Sequence, residues 1–549
     1  MVLEERDVRR PCVRQRLGRR HVDIADRPDE HGRHLGQARA VVLRSPVAHA
    51  NIVSIDADAA RAAPGVLAVY TGADVEGRLV DLPREIPLKN ADGSDPAPSV
   101  HPHLARGKVR CVGQCVAFVV GETLAAARDA AELIEVEYDE LPAVTDPEAA
   151  LSEGAPLIHD DAPGNRAYAW ELGDAAETEA AFAKAAHVAR VKVRNQRVVV
   201  ASMEPRAINA RYDAESGRWE VWIGSQGVHG IRARVALGLG VEPDRIRVHT
   251  PDVGGGFGMK LMAHPEYALA ALAAQDVGRP VKWIGDRTDA MLSDAQGRDL
   301  LTEAEGAFDA EGRILAFRWR SVSNLGSYYS SFGAGIHTVL SAPVMGGMYR
   351  VPALHLAVHG AFTNTTPTDA YRGAGRPEQI YVTERLMEQA ARELGRDSAE
   401  FRKLNLLTPD ELPYPTAGGM TFDSLAPGDN VDRAVAAADR AGFEARRRAA
   451  EARGKLLGFG LAYYMERTGG GPVEQAEIRI TPNGACEIRV GTQSTGQGHE
   501  TAWAQIVSDK LGLDWDSITL LEGDSDLLKA GGGTGGSRSL IMAGRTLML

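Results

Sequence analysis

The residues best suited to chemistry in this sequence form two glycine-rich loops that lie far apart in the chain. The first loop reads Gly254-Gly-Gly-Phe-Gly258, and the second reads Gly531-Gly-Gly-Thr-Gly-Gly-Ser-Arg-Ser539. A glycine-rich loop between a strand and a helix exposes backbone N–H groups near the positive helix end, with no side chain to block a ligand. Such loops are suited to bind anions. For the first loop alone, a tight strand-to-helix turn remains the alternative.

The second loop adds polar side chains to the bare backbone. Hydroxyl and guanidinium groups of this kind suit a pyrophosphate, and they belong to Thr534, Ser537, Arg538 and Ser539. Another glycine-flanked turn contains Gln497 and His499. A glutamine amide donates and accepts hydrogen bonds at once, so it can match the edge of a heterocycle, whereas a buried structural role is the alternative for His499. The three turns together predict a large polyanionic cofactor.

Neither loop fits the common nucleotide-binding motifs. Gly254–Gly258 lacks the Lys-Ser/Thr ending of a P-loop, and its spacing differs from the dinucleotide fingerprint. The cofactor is therefore expected to be of another kind.

The elements that precede the two loops follow the same order. A strand starts at Arg218, a helix closes at Gly240, and a second strand runs up to His249 before the first loop. A strand starts at Cys486, a helix closes at Gly512, and another strand precedes the second loop. Such self-similarity indicates a duplicated structural unit.

Hydrophobic periodicity predicts the surrounding elements. Lys108–Val120 alternates like one buried strand, and Asp309–Arg313 has the composition of a hairpin turn. Helices are predicted over Tyr267–Val277, Gln379–Leu394 and Val431–Arg453.

Composition predicts a soluble, multidomain protein of 549 residues, with 44% hydrophobic and 25% charged residues and no apolar run long enough to span a bilayer. The net charge of -12, without a basic stripe, argues against nucleic acid as a partner. The cysteines are too few for a disulfide framework, which suits the cytoplasm, and they are Cys12, Cys111, Cys115 and Cys486. Buried apolar packing is predicted for Cys111 and Cys115.

The sequence resembles, from about Leu43 to its end, the molybdenum-binding large subunits of the xanthine dehydrogenase, aldehyde oxidase and aerobic carbon monoxide dehydrogenase family. The motifs that carry this resemblance are Met203-Glu-Pro-Arg206, Gly224-Ser-Gln226, Gly254–Lys260, Ala370-Tyr-Arg-Gly-Ala-Gly-Arg-Pro-Glu378, Gly496-Gln-Gly-His-Glu-Thr501 and Gly533–Ser539.

The resemblance implies a mixed α+β and α/β fold. After an unmatched segment, 1–40, it places a hammerhead-like α/β domain at 41–152, and the polar stretch 153–165 is interpreted as a linker. Two molybdenum-cofactor-binding domains are then expected at 166–425 and 430–549, the second of them incomplete.

By motif position, the resemblance implies molybdopterin cytosine dinucleotide as cofactor. Gln226 is expected to bond the apical oxo ligand or the pterin, and Phe257 to lie beside the substrate, with ordinary packing as its alternative. Arg372 is the third residue assigned to catalysis. The remaining residues expected at the cofactor are Gly255, Gly256, Gly258, Gly373, Gln497, Gly498, His499, Thr534, Gly536, Ser537, Arg538 and Ser539. Molybdenum itself is expected to be held through the pterin dithiolene and not by a side chain.

The reaction implied is oxidative hydroxylation of an aldehyde or N-heteroaromatic compound, with oxygen from water and the metal as Lewis acid and electron acceptor. The sequence has no cysteine cluster and no recognisable flavin motif, so the resemblance implies that FAD and [2Fe-2S] lie on separate medium and small subunits. A cytoplasmic dimer of heterotrimers is expected if the chain is complete.

Two departures from the family pattern matter. The carbon monoxide enzymes place a copper-binding cysteine where this sequence has Gly373, which argues against carbon monoxide oxidation. The family's general-base glutamate belongs to a motif beyond Leu549, so no glutamate here takes that role. A truncated, inactive family member is therefore the alternative.

Met259 and Glu266 are candidates for the substrate pocket, with a core or solvated role as the alternative.

Overall fold

The structure is a computed structural model that describes residues 36–98, 100–471 and 473–549. Most of the unmatched segment 1–40, including Cys12, lies outside the described residues. The strands are β1 (Ala38–Arg44), β2 (Ala50–Asp56), β3 (Val66–Thr71), β4 (Lys108–Val109), β5 (Cys115–Gly121), β6 (Glu135–Glu140), β7 (Arg166–Gly173), β8 (His187–Asn195), β9 (Ala207–Asp213), β10 (Arg218–Ile223), β11 (Ile246–His249), β12 (Val281–Ile284), β13 (Leu300–Phe308), β14 (Ile314–Gly326), β15 (Ala353–Phe362), β16 (Tyr414–Pro415), β17 (Thr421–Phe422), β18 (Ala476–Ile480), β19 (Cys486–Val490) and β20 (Ile518–Leu521).

The α-helices are α1 (Asp58–Ala62), α2 (Gly72–Val75), α3 (Leu124–Glu132), α4 (Pro147–Ala150), α5 (Ala175–Phe182), α6 (Val228–Leu239), α7 (Pro265–Val277), α8 (Arg287–Ser293), α9 (Gly333–Ile336), α10 (Arg376–Glu393), α11 (Ser398–Asn405), α12 (Pro427–Ala437), α13 (Phe443–Glu451), α14 (His499–Leu511) and α15 (Arg545–Met548). A π-helical turn, Leu540–Gly544, leads into α15.

The largest sheet has seven strands in the order β11-β10-β9-β12-β1-β5-β3. β1 pairs in parallel with β12, with Ala38 opposite Val281, and it pairs antiparallel with β5. The N-terminal part of the chain therefore shares one sheet with the strands that carry the first glycine loop. The Ala- and Leu-rich helix α7 is buried against this sheet, so the sheet and helix form a rigid base for the loop.

The duplicated unit predicted from the sequence is confirmed in the backbone. In the first repeat, β9 is antiparallel to β10, and β10 is parallel to β11 after the crossover helix α6. In the second repeat, β18, β19, α14 and β20 have the same arrangement. Both helices end at a left-handed glycine, Gly240 with φ 66° and Gly512 with φ 69°, as is usual at helix C-termini.

A second sheet has the order β7-β15-β14-β13-β8, and its β13–β14 connection is the predicted hairpin, in which the Arg313 N–H donates to Asp309 Oδ1 at 2.7 Å. Helices α7 and α10 confirm the predictions over Tyr267–Val277 and Gln379–Leu394.

Two predicted elements are wrong in extent. Val431–Arg453 forms two helices, α12 and α13, because Asp439 adopts a left-handed backbone with φ 46° between them. Lys108–Val120 forms β4 and β5, separated by a turn that contains Gly113 with φ 87°.

Cys111 and Cys115 are buried and unpaired, but their surroundings are more polar than predicted. The Ser327 hydroxyl donates to Cys111 Sγ at 3.1 Å, and Arg44 donates to Cys115 Sγ at 3.2 Å. Burial raises the pKa of Cys111 to about 11 and that of Cys115 to about 12. Both thiols are therefore protonated at neutral pH.

Candidate functional site

The two glycine loops meet at Gln226, which follows β10 and precedes α6. Its side-chain Oε1 accepts a hydrogen bond from the Gly258 N–H at 2.8 Å, and its Nε2 donates to the Thr534 carbonyl at 2.8 Å. The Thr534 N–H in turn donates to the Gln226 carbonyl at 2.6 Å. Because Gln226 is only 4% exposed, these bonds form in a water-poor contact. One buried amide therefore joins both loops into a single site.

The backbones of the two repeats touch where Gly227 lies against Gly533. A Cβ at Gly227 would stand 2.8 Å from Gly533 Cα, and a Cβ at Gly533 would stand 2.5 Å from the Gln226 carbonyl. Gly533 also has φ 67°, which disfavours residues with a side chain. Glycine is thus required on both sides of this contact.

The first loop presents Phe257 at its rim. Phe257 is 41% exposed and has φ 53°, so the residue is not packed in the core. The Arg372 N–H donates to the Phe257 carbonyl at 2.8 Å, and the Arg372 guanidinium lies 6.0 Å from the ring centroid. A Cβ at Gly258 would stand 2.4 Å from the Ala370 carbonyl. The 370–376 loop therefore lies directly against the first glycine loop.

Glu204 fixes the start of the first loop. Its Oε2 accepts hydrogen bonds from the Gly254 N–H at 2.8 Å and from Lys260 Nζ at 2.7 Å. The Lys260 side chain is fully buried, and desolvation lowers its pKa. No site role was predicted for Glu204, although it belongs to the Met203–Arg206 motif.

The second loop is held by its own hydroxyl groups and leaves its tip open. Thr534 Oγ1 donates to the Gln493 carbonyl at 2.7 Å and lies 3.0 Å from Ser539 Oγ. Gly536 and Ser537 are exposed at the tip.

Arg538 binds groups of the protein itself. It is buried beneath the loop, forms an ion pair with Glu474, and donates to the carbonyls of Gly533 at 2.9 Å and Gly470 at 3.1 Å. Desolvation raises the pKa of Glu474. These contacts hold Arg538 beneath the loop, and its contact with the phosphates stays a prediction.

The Gln497 turn lies at the start of α14. Gln497 Oε1 accepts from the Thr495 N–H at 2.6 Å, and Nε2 donates to the Gln493 carbonyl at 3.0 Å, so the side chain stabilises its own turn. His499 is buried, with its ring 5.0 Å from that of Trp503 and its Nδ1 3.6 Å from Glu522. Gly498 is exposed. The ring of His499 is therefore buried, as expected for the structural role that is its alternative interpretation.

Glu466 connects the 370–376 loop to the second glycine loop. Its carboxylate accepts hydrogen bonds from Ser537 Oγ and Tyr464 Oη, both at 2.9 Å, and it lies 2.9 Å from the Arg376 guanidinium. Glu466 has no signal in the sequence, because it belongs to none of the recognised motifs.

Met259 and Glu266 lie in the core and not at the rim of the site. Glu266 pairs with Arg206 at 2.7 Å and with Arg44 at 2.9 Å. Burial alone would raise the pKa of Glu266, but these two guanidinium groups hold it below its ordinary value. Met259 is fully buried.

The residues present fit a polar, extended cofactor. A Cβ built on Gly496, Gly498 or Gly536 has open space around it, so ligand atoms can approach the backbone there. A small cavity between the repeats includes Thr492, whose Oγ1 is buried without a hydrogen-bond partner in the described chain. Within residues 36–98, 100–471 and 473–549, no cluster of three histidine, cysteine or acidic side chains could hold a metal ion.

Of the helices in the part of the chain that the structure describes, none combines the length and apolar character needed to cross a bilayer.

Three family models match the chain. The model for the aldehyde oxidase and xanthine dehydrogenase a/b hammerhead domain matches residues 30–142, and models for molybdopterin cofactor-binding domains match residues 158–406 and 434–549. These matches confirm the predicted fold class. The predicted domain bounds, 41–152, 166–425 and 430–549, remain a prediction.

The carbon monoxide dehydrogenase large chain of Hydrogenophaga pseudoflava is 34% identical over 94% of this chain and 66% of its own length. The nicotine 6-hydroxylase large subunit of Paenarthrobacter nicotinovorans is 32% identical over 93% of this chain and 63% of its own length. The chain thus spans about two thirds of the length of these curated relatives. The solved structure of quinoline 2-oxidoreductase from Pseudomonas putida 86 superimposes with a TM-score of 0.86 at 34% identity, over 93% of this chain and 66% of that one.

Proposed function

Because the chain belongs to the xanthine dehydrogenase and aldehyde oxidase family of molybdopterin-binding large subunits, we propose that it carries the molybdenum site of a hydroxylase. The substrate class is an aldehyde or an N-heteroaromatic compound. The observation that carries this proposal is the junction at Gln226, where one buried amide binds the first glycine loop through Gly258 and the second through Thr534. A cofactor that spans both loops requires this arrangement.

When bound, the cofactor would supply a molybdenum centre that accepts two electrons from the substrate and uses water as the oxygen source. Gln226 and residues 255–258 would line the front of that centre. The exposed backbone at Gly498, Gly536 and Ser537 would bind the pterin and its phosphates, for which we favour the cytosine dinucleotide form.

The rim of the first loop supports the substrate class. The exposed ring of Phe257 offers a flat apolar face, and such faces pack on planar or aromatic substrates. Arg372 lies on the same side, with its guanidinium 6.0 Å from the ring centroid. These two side chains would orient a planar substrate and keep bulk water from its reacting carbon.

The position of Gly373 argues against a copper-dependent site. Gly373 has φ 91°, and a Cβ there would stand 2.6 Å from Pro377 Cγ. A cysteine at this position would therefore need the loop to move. This favours hydroxylation over carbon monoxide oxidation, although the carbon monoxide dehydrogenase large chain of Hydrogenophaga pseudoflava is a relative.

The electrons must leave through partner proteins. Cys111, Cys115 and Cys486 are buried singly and form no cluster in the described chain, and the matched relatives are named as chains or subunits of larger enzymes. We therefore assign [2Fe-2S] clusters and FAD to a small and a medium subunit, in a cytoplasmic dimer of heterotrimers.

Purification of the chain with its co-expressed partner subunits tests the proposal. We expect about one molybdenum per chain, release of a cytosine nucleotide on acid hydrolysis, and reduction of a redox dye by benzaldehyde or quinoline. In ¹⁸O-labelled water, the product should carry ¹⁸O. Bound molybdenum without dye reduction by either substrate, or product oxygen that comes from O₂, would contradict the proposal. Carbon monoxide serves as the contrasting substrate and should give no reduction.

A further inference from the structure

Two consecutive residues next to the site hold a costly backbone conformation. Arg298 has φ 66° and Asp299 has φ 65°, in the left-handed region that residues with side chains rarely occupy. Such residues persist only when their surroundings hold them in place, and they concentrate at functional sites. The pair precedes β13 and lies beside the 370–376 loop.

Asp299 is the anchor of the pair. Its Oδ2 accepts hydrogen bonds from Arg197 Nε at 2.9 Å and from Asn324 Nδ2 at 2.8 Å, and its carbonyl accepts from the Asn324 N–H at 3.0 Å. Just upstream, the Gln296 carbonyl accepts from the Asp369 N–H at 2.7 Å. These hydrogen bonds therefore hold the 296–299 segment next to the residues that lead into the 370–376 loop.

Arg298 uses this strained geometry to bind the 370–376 loop. Its guanidinium donates to the Tyr371 carbonyl at 2.9 Å and to the Arg372 carbonyl at 2.8 Å, and it lies 3.3 Å from the Glu378 carboxylate. The same group lies 5.0 Å from the centroid of the Tyr371 ring. The side chain is only 14% exposed, so these contacts are poorly screened by water.

We propose that Arg298 is a positioning residue for the two peptide units that begin at the Tyr371 and Arg372 carbonyls. The C=O and N–H of one peptide unit point in opposite directions. The pinned Tyr371 carbonyl therefore aims the Arg372 N–H toward the first glycine loop, where it binds the Phe257 carbonyl, and the pinned Arg372 carbonyl fixes the direction of the Gly373 N–H. A cationic donor on each carbonyl also polarises its peptide, which strengthens the opposite N–H as a donor. The inference rests on the proposed function.

The test compares Arg298→Gln and Arg298→Lys with Arg350→Gln. Arg350 serves as the matched control because it also binds a glutamate, Glu411, and a carbonyl, that of Leu406, but contacts neither glycine loop. The co-expressed, molybdenum-loaded enzyme is used. The measurements are kcat and KM, molybdenum content, the Mo(V) electron paramagnetic resonance signal, and hydrogen exchange of the peptide that covers the 370–376 loop.

For Arg298→Gln we expect faster exchange in that loop, unchanged molybdenum content, an altered Mo(V) signal, and a kcat lower by about ten- to a hundredfold with little change in KM. Arg298→Lys keeps the charge but replaces the two guanidinium nitrogens that bind the two carbonyls with one ammonium nitrogen. Its kcat should therefore fall between those of the wild type and Arg298→Gln. Arg350→Gln should match the wild type in these measurements.

Unchanged loop exchange in Arg298→Gln would overturn the inference whatever the enzyme's activity. Faster exchange with wild-type kcat and Mo(V) signal would overturn it as well. If the wild type itself binds molybdenum and turns over neither substrate, the proposed function fails while the exchange comparison still decides whether Arg298 positions the loop.

Discussion

Gln226 and Thr534 are joined by two hydrogen bonds, from the Thr534 N–H to the Gln226 carbonyl at 2.6 Å and from Gln226 Nε2 to the Thr534 carbonyl at 2.8 Å. They belong to different repeats, so this pair sets the distance between the two loops. The Gln226 side chain also binds Gly258, so it couples the first loop to the second. A displacement of one loop should therefore displace the other.

Gln226→Glu should weaken this coupling. The carboxylate still accepts from Gly258, but it cannot donate to the Thr534 carbonyl, and it places two acceptors face to face. An unsatisfied buried polar group costs about 1–3 kcal/mol, so the free energy of unfolding should fall by that amount, together with cofactor content. Urea titration and metal analysis check this. The control is Gln389→Glu, at an exposed amide, and equal losses in the two variants would refute the coupling.

Gly533→Ala should be more harmful than Gly536→Ala. The two glycines have φ of 67° and 62°, but a Cβ at Gly533 would stand 2.5 Å from the Gln226 carbonyl, whereas none lies within 4 Å at Gly536. Both substitutions therefore carry the cost of a left-handed backbone, and only Gly533→Ala adds a steric collision. We expect the midpoint of thermal unfolding and the molybdenum content to fall much further in Gly533→Ala. Similar values for both variants would show that the repeats do not meet there.

Asp369 should make stability depend on pH. Burial raises the pKa of this carboxyl to about 6 from an ordinary value of 3.8, so the folded state holds the proton more tightly than the unfolded state. The resulting stability is fully present below about pH 4 and is lost as pH rises through 6, by about 3 kcal/mol at about 1.4 kcal/mol per pKa unit. Asp369→Asn should make the free energy of unfolding less dependent on pH over this range. Denaturant midpoints measured from pH 4 to 7 check it, and parallel curves would count against it.

Gly373→Cys should not create copper-dependent carbon monoxide oxidation. The new side chain meets Pro377 and must adopt φ 91°, so we expect a lower unfolding temperature and no stoichiometric copper. Gly373→Ala is the matched control, since it brings the same strain without a thiol. Copper binding with carbon monoxide turnover in the cysteine variant alone would disprove this prediction.

The duplication could be predicted because glycine loops, helix ends and strands recur in the same order, and the fold class because the motifs resemble those of the family. The sequence could not predict how the repeats face each other, since the contacts of Gln226 with Gly258 and Thr534 join distant segments. Arg538 illustrates the limit. Its residue type predicts a contact with phosphates, but it could not predict the ion pair with Glu474, a carboxylate outside every motif.

Arg298 carried no sequence signal for a related reason. Its role follows from a left-handed backbone and from carbonyl groups of Tyr371 and Arg372. Every residue has a carbonyl group, so residue types alone cannot mark this one. The division of Val431–Arg453 at Asp439 likewise depends on a backbone angle that the apolar periodicity does not encode.

The parallel pairing of β1 with β12 has a consequence for any shortened form of the protein. Removal of the first strand would leave β12 with an unpaired row of N–H and C=O groups beside the site. Open edges of this kind recruit strands from other molecules. Residues 38–40, which pair with β12, should therefore protect the cofactor-binding half from self-association, and expression of that half alone should yield aggregates.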